Sequence, residues 1–218
     1  MTVRLAVFDC DGTLVDGQHA VCAAMDDACA TVGIAAPNRQ AVRRIVGLSL
    51  PLAVRRLLPD ASEDSHAAVV EAYKTAYRSA RERGALAEPL FDGIAGLLAT
   101  LHDAGWSLGV ATGKSDRGVA HCLASHGLAE RFTTLQTADR HPSKPHPAML
   151  EAALAEAVAA PEHSVMIGDT VFDMAMARAA GVRALGVAWG YHAPHELIEA
   201  GAEFVAADPA ALQDYLLE

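Results

Sequence analysis

Residues 3–16 read VRLAVFDCDGTLVD, and the rest of the chain is best read outward from them. Val3 to Phe8 is an apolar run that stops at Asp9-Cys10-Asp11-Gly12. A short apolar run ended by acids and a glycine predicts a buried strand that delivers two aspartates into a loop. Gly12 permits a tight turn after the strand. Asp9 and Asp11 are two positions apart, so in extended chain both side chains leave the same side. Cys10 has anionic neighbours, whereas a nucleophilic cysteine wants cationic ones, so it reads as a plain strand residue.

Beyond Asp16 the pattern is helical as far as Gly84. Val21 to Val32 is alanine-rich and stops at Gly33, Arg39 to Val46 and Leu50 to Leu58 are short, and Ser62 to Arg83 is long. After Pro89 helices and strands alternate. Ile94, Leu97, Leu98 and Leu101 mark a helix, Ser107 to Ala111 a strand, and Arg117 to His126 a helix. Phe132 to Thr137 is a strand, Leu150 to Ala157 a helix, Ser164 to Ile167 a strand, and Val171 to Ala180 a helix. Ala184 to Ala188 and Glu203 to Ala206 complete the strands, before a C-terminal helix. Alternation of this kind predicts an α/β protein with a Rossmann-like parallel sheet covered on both faces. The expected core is residues 1–15 and 88–218, and residues 16–87 form an inserted all-helical cap.

Composition narrows the function. The 218 residues carry 17 Lys and Arg against 27 Asp and Glu, a formal charge of −10, which disfavours a nucleic-acid partner. With 52% hydrophobic and 20% charged residues the chain is not a disordered one. No apolar run reaches the ~18 residues of a membrane span. The N-terminal MTVRLAVFDC turns acidic too early for a secretory signal, and Cys10, Cys22, Cys29 and Cys122 include no C-x-x-C pair. The expectation is a cytoplasmic protein with reduced thiols.

Ligands of open parallel sheets bind beyond the carboxyl ends of the strands. Three strands here end in Asp9 and Asp11, in Thr112, and in Asp169, and Lys144 lies in a fourth loop. One strand-end aspartate could simply cap the next helix; the set together needs a chemical reason. Asp9-Cys10-Asp11-Gly12-Thr13-Leu14-Val15-Asp16 resembles the first motif of the haloacid dehalogenase superfamily of phosphohydrolases. Thr112 resembles its second motif, Lys144 in Ser143-Lys144-Pro145-His146-Pro147 the third, and Gly168-Asp169-Thr170-Val171-Phe172-Asp173 the fourth. The motifs occur in order over nearly the whole chain. The helical block resembles the cap that one branch of the superfamily inserts after its first motif, and within that branch the chain most resembles phosphoglycolate phosphatases.

The resemblance implies a phosphoric monoester hydrolase working through a phosphoaspartate, with Asp9 as nucleophile and Asp11 as acid and base. Such a nucleophile divides hydrolysis into transfer to the enzyme and dephosphorylation. Four carboxylates (Asp9, Asp11, Asp169 and Asp173) against one lysine would repel a phosphate, so a divalent cation is expected, and oxygen donors with phosphate chemistry favour Mg²⁺. By resemblance Asp9 and Asp169 bind it through side chains and Asp11 through its backbone carbonyl. Asp173 is expected to orient the site, and Thr13 either to orient Asp11 or to serve as a turn residue. Thr112 with the amides of Gly113 and Lys114 makes an anion site for the phosphoryl group. Lys144 is expected to stabilise its charge and keep Asp9 ionised. Lys114 competes for that role, although a solvated lysine in a helix's first turn is its plainer reading.

Arg43, Arg44 and His19 are the candidates for contact with a small phosphorylated metabolite, the best guess being 2-phosphoglycolate. Tyr73 and Tyr77, one helical turn apart, read as cap packing in preference to substrate stacking, and Trp189 as packing or a loop anchor. Asp11 argues against the dehalogenase branch, where the matching residue is not an acid. A sugar phosphomutase or an inorganic pyrophosphatase of the same fold is the alternative. A receiver-like phosphoacceptor is disfavoured by length and by the Asp169 and Asp173 motif.

Overall fold

The computed structural model describes residues 2–218. β1 (Arg4–Phe8), β2 (Trp106–Thr112), β3 (Thr134–Thr137), β4 (Ser164–Gly168), β5 (Arg183–Val187) and β6 (Phe204–Ala206) form one sheet in the order β3-β2-β1-β4-β5-β6. All pairings are parallel. β1 shows why an unbroken apolar run was needed. Ala6 and Phe8 point into one core layer and Leu5 and Val7 into the other. The first layer is closed by α5 (Ile94–Asp103), α6 (Asp116–Ser125) and α10 (Pro209–Leu217). The second is closed by α7 (Ala148–Ala157), α8 (Val171–Ala179) and α9 (Pro194–Ala200).

Between β1 and α5 stands a helical insert of α1 (Gln18–Val32), α2 (Arg39–Arg44), α3 (Leu50–Leu57) and α4 (Glu63–Glu82). It has its own core, in which Cys22, Met25, Ala28 and Cys29 of α1 meet Val42, Val54, Val69 and Val70. Gly33 ends α1 at φ 76°, a left-handed conformation in which glycine carries no steric penalty. The two connections of the insert run together: Asp16 N donates to Pro89 O at 2.8 Å, and Val15 bridges Leu90.

The elements differ from the sequence reading mainly at their ends. α1 begins three residues early, at Gln18. β3 begins at Thr134, because Phe132 and Thr133 complete the turn that follows a short 3₁₀ segment over Ala129–Arg131. α9 was not expected; its seven residues bury only Leu197, too little to leave an apolar period. Among the described residues no helix is long and apolar enough to cross a membrane.

Candidate active site

The sheet order reverses direction between β1 and β4, and this switch point is where open α/β sheets leave a crevice. Asp9 extends the ladder one step beyond β1, its amide donating to Ile167 O at 2.9 Å. Its carboxylate therefore lies beside those of Asp169 and Asp173, with one oxygen from each of the three within 4.8 Å of the others, all fully buried.

Each carboxylate has a distinct set of partners. Asp9 Oδ1 accepts from Cys10 N at 2.7 Å and lies 2.9 Å from Lys144 Nζ. Asp9 Oδ2 is buried and has no hydrogen-bond partner. Asp173 Oδ1 accepts from Lys144 Nζ at 2.6 Å, and its Oδ2 accepts from Thr170 N and Thr170 Oγ1 at 3.1 and 2.6 Å. Asp169 Oδ1 accepts from Thr13 Oγ1 at 2.8 Å and its Oδ2 from Tyr191 N at 2.9 Å. Asp173 is thus fully engaged by the protein, which fits an orienting role. Thr13 corrects the expectation made for it, since it holds Asp169 and not Asp11.

Charge explains the electrostatics. Burial pushes Asp9 up to about 7, against the pull of Lys144 and with help from Asp173. Burial also raises Asp169, reinforced by Asp9 and Asp173. Lys144 would be lowered by its burial, but Asp173 and Asp9 outweigh that and hold it protonated. A buried oxygen without a donor, in a group of crowded carboxylates, is what a bound cation would satisfy. Asp9, Asp169 and Asp173 therefore form a group that fits a metal site, with Asp9 Oδ2 its free donor. Close approach requires glycine nearby: a Cβ at Gly12 or Gly190 would lie 2.2 Å from an Asp169 side-chain atom, and Gly12 also holds φ 85°.

The second half of the site surrounds Asp11. Lys114 Nζ lies 2.9 Å from Asp11 Oδ1, near enough for an ion pair though not aligned as a hydrogen bond. The same ammonium donates to Glu88 Oε1 at 2.5 Å and to Tyr77 Oη at 3.4 Å. Tyr77 Oη in turn donates to Glu88 Oε1 at 2.6 Å. Lys114 is therefore buried, its side chain only 7% exposed, and not the solvated lysine that its place in the sequence suggests. Burial raises the Asp11 carboxyl, Lys114 pulls it back, and Glu88 raises it again. Glu88 escaped the sequence reading because it belongs to no strand-end motif, and Tyr77 reads there as cap packing.

Thr112 closes β2, buried, and its Oγ1 accepts from Lys114 N at 3.3 Å. Beside it Gly113 and Lys114 lead into α6 and line, with Asp9 and Asp11, a cavity of about 500 Å³ between core and insert. Tyr73 and Tyr77 line this cavity too, stacked at 5.6 Å, so they are not packing residues alone. Arg43, Arg44 and His19 are exposed and lie outside it. Arg44 instead pairs with Glu196, its two nitrogens 2.8 and 2.7 Å from the carboxylate oxygens. Trp189 anchors the first loop, donating from Nε1 to Thr13 O at 3.1 Å, and Cys10 packs in the core.

Comparison with known proteins agrees with this geometry. Residues 6–187 match the family described as haloacid dehalogenase-like hydrolase. The chain is 34% identical over 219 residues to "Probable phosphatase IndB" of Dickeya dadantii, covering 98% of this chain and 90% of that one. It is 29% identical to a phosphoglycolate phosphatase of Vibrio vulnificus, covering 99% and 96%. A crystal structure described as a predicted phosphatase from Clostridium acetobutylicum superposes with a TM-score of 0.88, covering 100% of this chain and 99% of that one; at 23% identity this is a likeness of fold.

Proposed function

The chain belongs to the haloacid dehalogenase-like hydrolases, and from that premise we propose that it is a Mg²⁺-dependent phosphatase of small phosphate monoesters acting through a phosphoaspartate at Asp9. One observation carries the reading. A buried carboxylate with an unpartnered oxygen, Asp9, lines a cavity together with Thr112, Gly113, Lys114 and a second buried carboxyl, Asp11. The relatives' names support a phosphatase, and the Vibrio relatives suggest 2-phosphoglycolate as the reference substrate. Four buried free thiols support a reducing, cytoplasmic setting.

Asp9 and Asp169 through their side chains, with Asp11 through its carbonyl, would hold the ion. Bound there, Mg²⁺ would offset carboxylate charge and polarise the phosphoryl oxygens. Lys144 pulls Asp9 toward its ionised form by pairing with it, against the burial that raises it. Thr112 with the Gly113 and Lys114 amides, in the loop between β2 and α6, would receive the phosphoryl group. An Asp9 oxygen forms a bond to phosphorus as the ester P–O bond breaks, and the leaving oxygen takes the proton of Asp11. Asp11, now ionised, takes a proton from water, whose oxygen attacks phosphorus and releases Asp9. Lys114 positions Asp11 through both steps.

The test is phosphate release from a panel of 2-phosphoglycolate, hexose phosphates, nucleotides and pyrophosphate. Turnover is expected to stop in excess chelator, to return with Mg²⁺, and to vanish in Asp9→Asn. Turnover undiminished in chelator, or an active Asp9→Asn, overturns the reading. A mutase would instead isomerise a phosphorylated sugar without net phosphate release.

A further inference from the structure

The cavity above Asp9 is larger and differently lined than a two-carbon acid requires. At about 500 Å³ it falls in the range of sites that enclose whole drug-sized molecules. One wall is apolar: Val21 and Met25 of α1 and Leu50 of α3. Another is aromatic, the stacked rings of Tyr73 and Tyr77 on α4. α4 carries a third set one position on, Lys74, Arg78 and Arg81, at the i, i+4 and i+7 spacing that aligns side chains along a helix. Arg78 and Arg81 form no ion pair among the described residues, and Arg81 Nε is buried without a hydrogen-bond partner. Lys74 pairs with Glu71 at 2.8 Å, so the cavity joins an acidic floor and apolar and aromatic walls to two cations, Arg78 and Arg81, that no carboxylate pairs.

We propose that the substrate is a phosphate monoester of an alcohol that bears a planar ring with acceptor or anionic groups. The phosphate meets Asp9, the ring lies along the Tyr73 and apolar walls, and the acceptor groups meet Arg78 and Arg81. This rests on the phosphatase reading and narrows it. A flat ring gains from aromatic and aliphatic walls what a two- or three-carbon chain cannot, because it removes more apolar surface from water. The buried, unpartnered Arg81 Nε, with the exposed Arg78 three positions before it on α4, favours an acceptor group on the ring.

The experiment compares primary-alcohol esters of similar leaving-group acidity, with and without a ring. Uridine 5′-monophosphate and pyridoxal 5′-phosphate are set against glycerol 1-phosphate, with 2-phosphoglycolate as reference. The kcat/KM for at least one ring ester is expected to exceed that for glycerol 1-phosphate by about tenfold or more. In Tyr73→Ala that ratio should fall toward one, chiefly through KM, and Tyr73→Phe should restore it. A wild-type preference for the short esters overturns the proposal, as does a ratio unmoved in a folded Tyr73→Ala. If no ester turns over, the phosphatase reading fails, and the cavity is judged by calorimetric titration of Asp9→Asn with the same compounds. Tighter binding of a ring ester then supports the proposal, and equal or weaker binding ends it.

Discussion

Asp11 is the residue on which the proposed chemistry turns, because one carboxyl must give a proton in the first step and take one in the second. Burial raises its carboxyl and so favours the protonated form, Lys114 pulls the other way, and the 2.9 Å contact with Lys114 fixes its direction. Asparagine has nearly the same shape but cannot exchange that proton. Asp11→Asn should therefore fold and bind Mg²⁺, and its turnover should fall by roughly 10²–10⁴, the usual cost of losing a general acid or base. An activated aryl phosphate should recover the first step and let phosphoenzyme accumulate, which rapid quenching of labelled substrate would detect. Near wild-type turnover of an alkyl phosphate would refute the assignment. Lys114 bears a different load, since it alone among the described residues forms ion pairs with both Asp11 and Glu88. Lys114→Met leaves the buried Glu88 carboxylate without its ammonium partner, and breaking a buried pair costs about 3–5 kcal/mol. Urea unfolding should show a loss of that order; a loss under about 1 kcal/mol would mean the network carries little. Asp9, Asp11, Thr112, Lys144 and Asp169 were legible in the sequence because each follows or flanks a recognisable strand. The partnership of Thr13 with Asp169 spans 156 positions, and no local pattern encodes it.

At the scale of elements, α9 was the one helix that the sequence reading missed, and its first turn does more than cover β5. Glu196 accepts from Ala193 N at 2.9 Å, holding the start of the helix, and the same carboxylate pairs with Arg44 of α2. His192 adds a second tie, donating from Nε2 to Arg44 O at 3.0 Å. The Arg44 guanidinium, with the Ala193 amide, holds the Glu196 carboxyl down at about 2, against an ordinary value of 4.5. A depressed carboxyl contributes stability that is complete above the unfolded value and fades as pH falls through the folded one. Arg44 and Glu196 side chains are 44% and 23% exposed, so solvent screening keeps the contribution near the 0.2–1 kcal/mol of exposed pairs. Glu196→Gln, which removes the charge and keeps the shape, should lose roughly that much at pH 7. By pH 3 the gap between the two proteins should shrink to roughly half or less, because the wild-type advantage is then partly titrated away. Parallel urea titrations at the two pH values measure it, and an undiminished gap at pH 3 would show that the charge is not the cause. The pairing could not be read beforehand because it joins the insert to the far end of the core, across 152 positions.

For the whole molecule, the order of core and insert was legible from the alternation of helices and strands, but not the fit between them. That fit depends on where the paired connections at Asp16 and Pro89 place four helices over the strand tips. The segment after α2 approaches the core beside Asp9. Ser49 N donates to Ser143 Oγ at 2.8 Å, and the position of a Cβ on Gly47 would lie 3.6 Å from Asp9 Oδ2. Facing it, a Cβ on Gly113 would lie 2.5 Å from Leu48 O and 2.8 Å from Gly47 O. Those are backbone atoms, so no side chain can swing aside, and Gly113 itself has no positive φ to forbid alanine. Gly113→Ala must therefore be relieved by moving the insert segment away from the core, which lifts the roof from Asp9. Each core is untouched by the change, so global stability should move by no more than about 1 kcal/mol, as for a substitution outside the packed interior. Exclusion of water and enclosure of the reacting group depend on that roof. The kcat/KM for phosphate esters should accordingly fall tenfold or more, and limited proteolysis should cut the segment around Gly47 faster than in the wild type. Wild-type kcat/KM in Gly113→Ala would show that the gap between insert and core can widen without cost, and that closure over Asp9 is not part of the reaction.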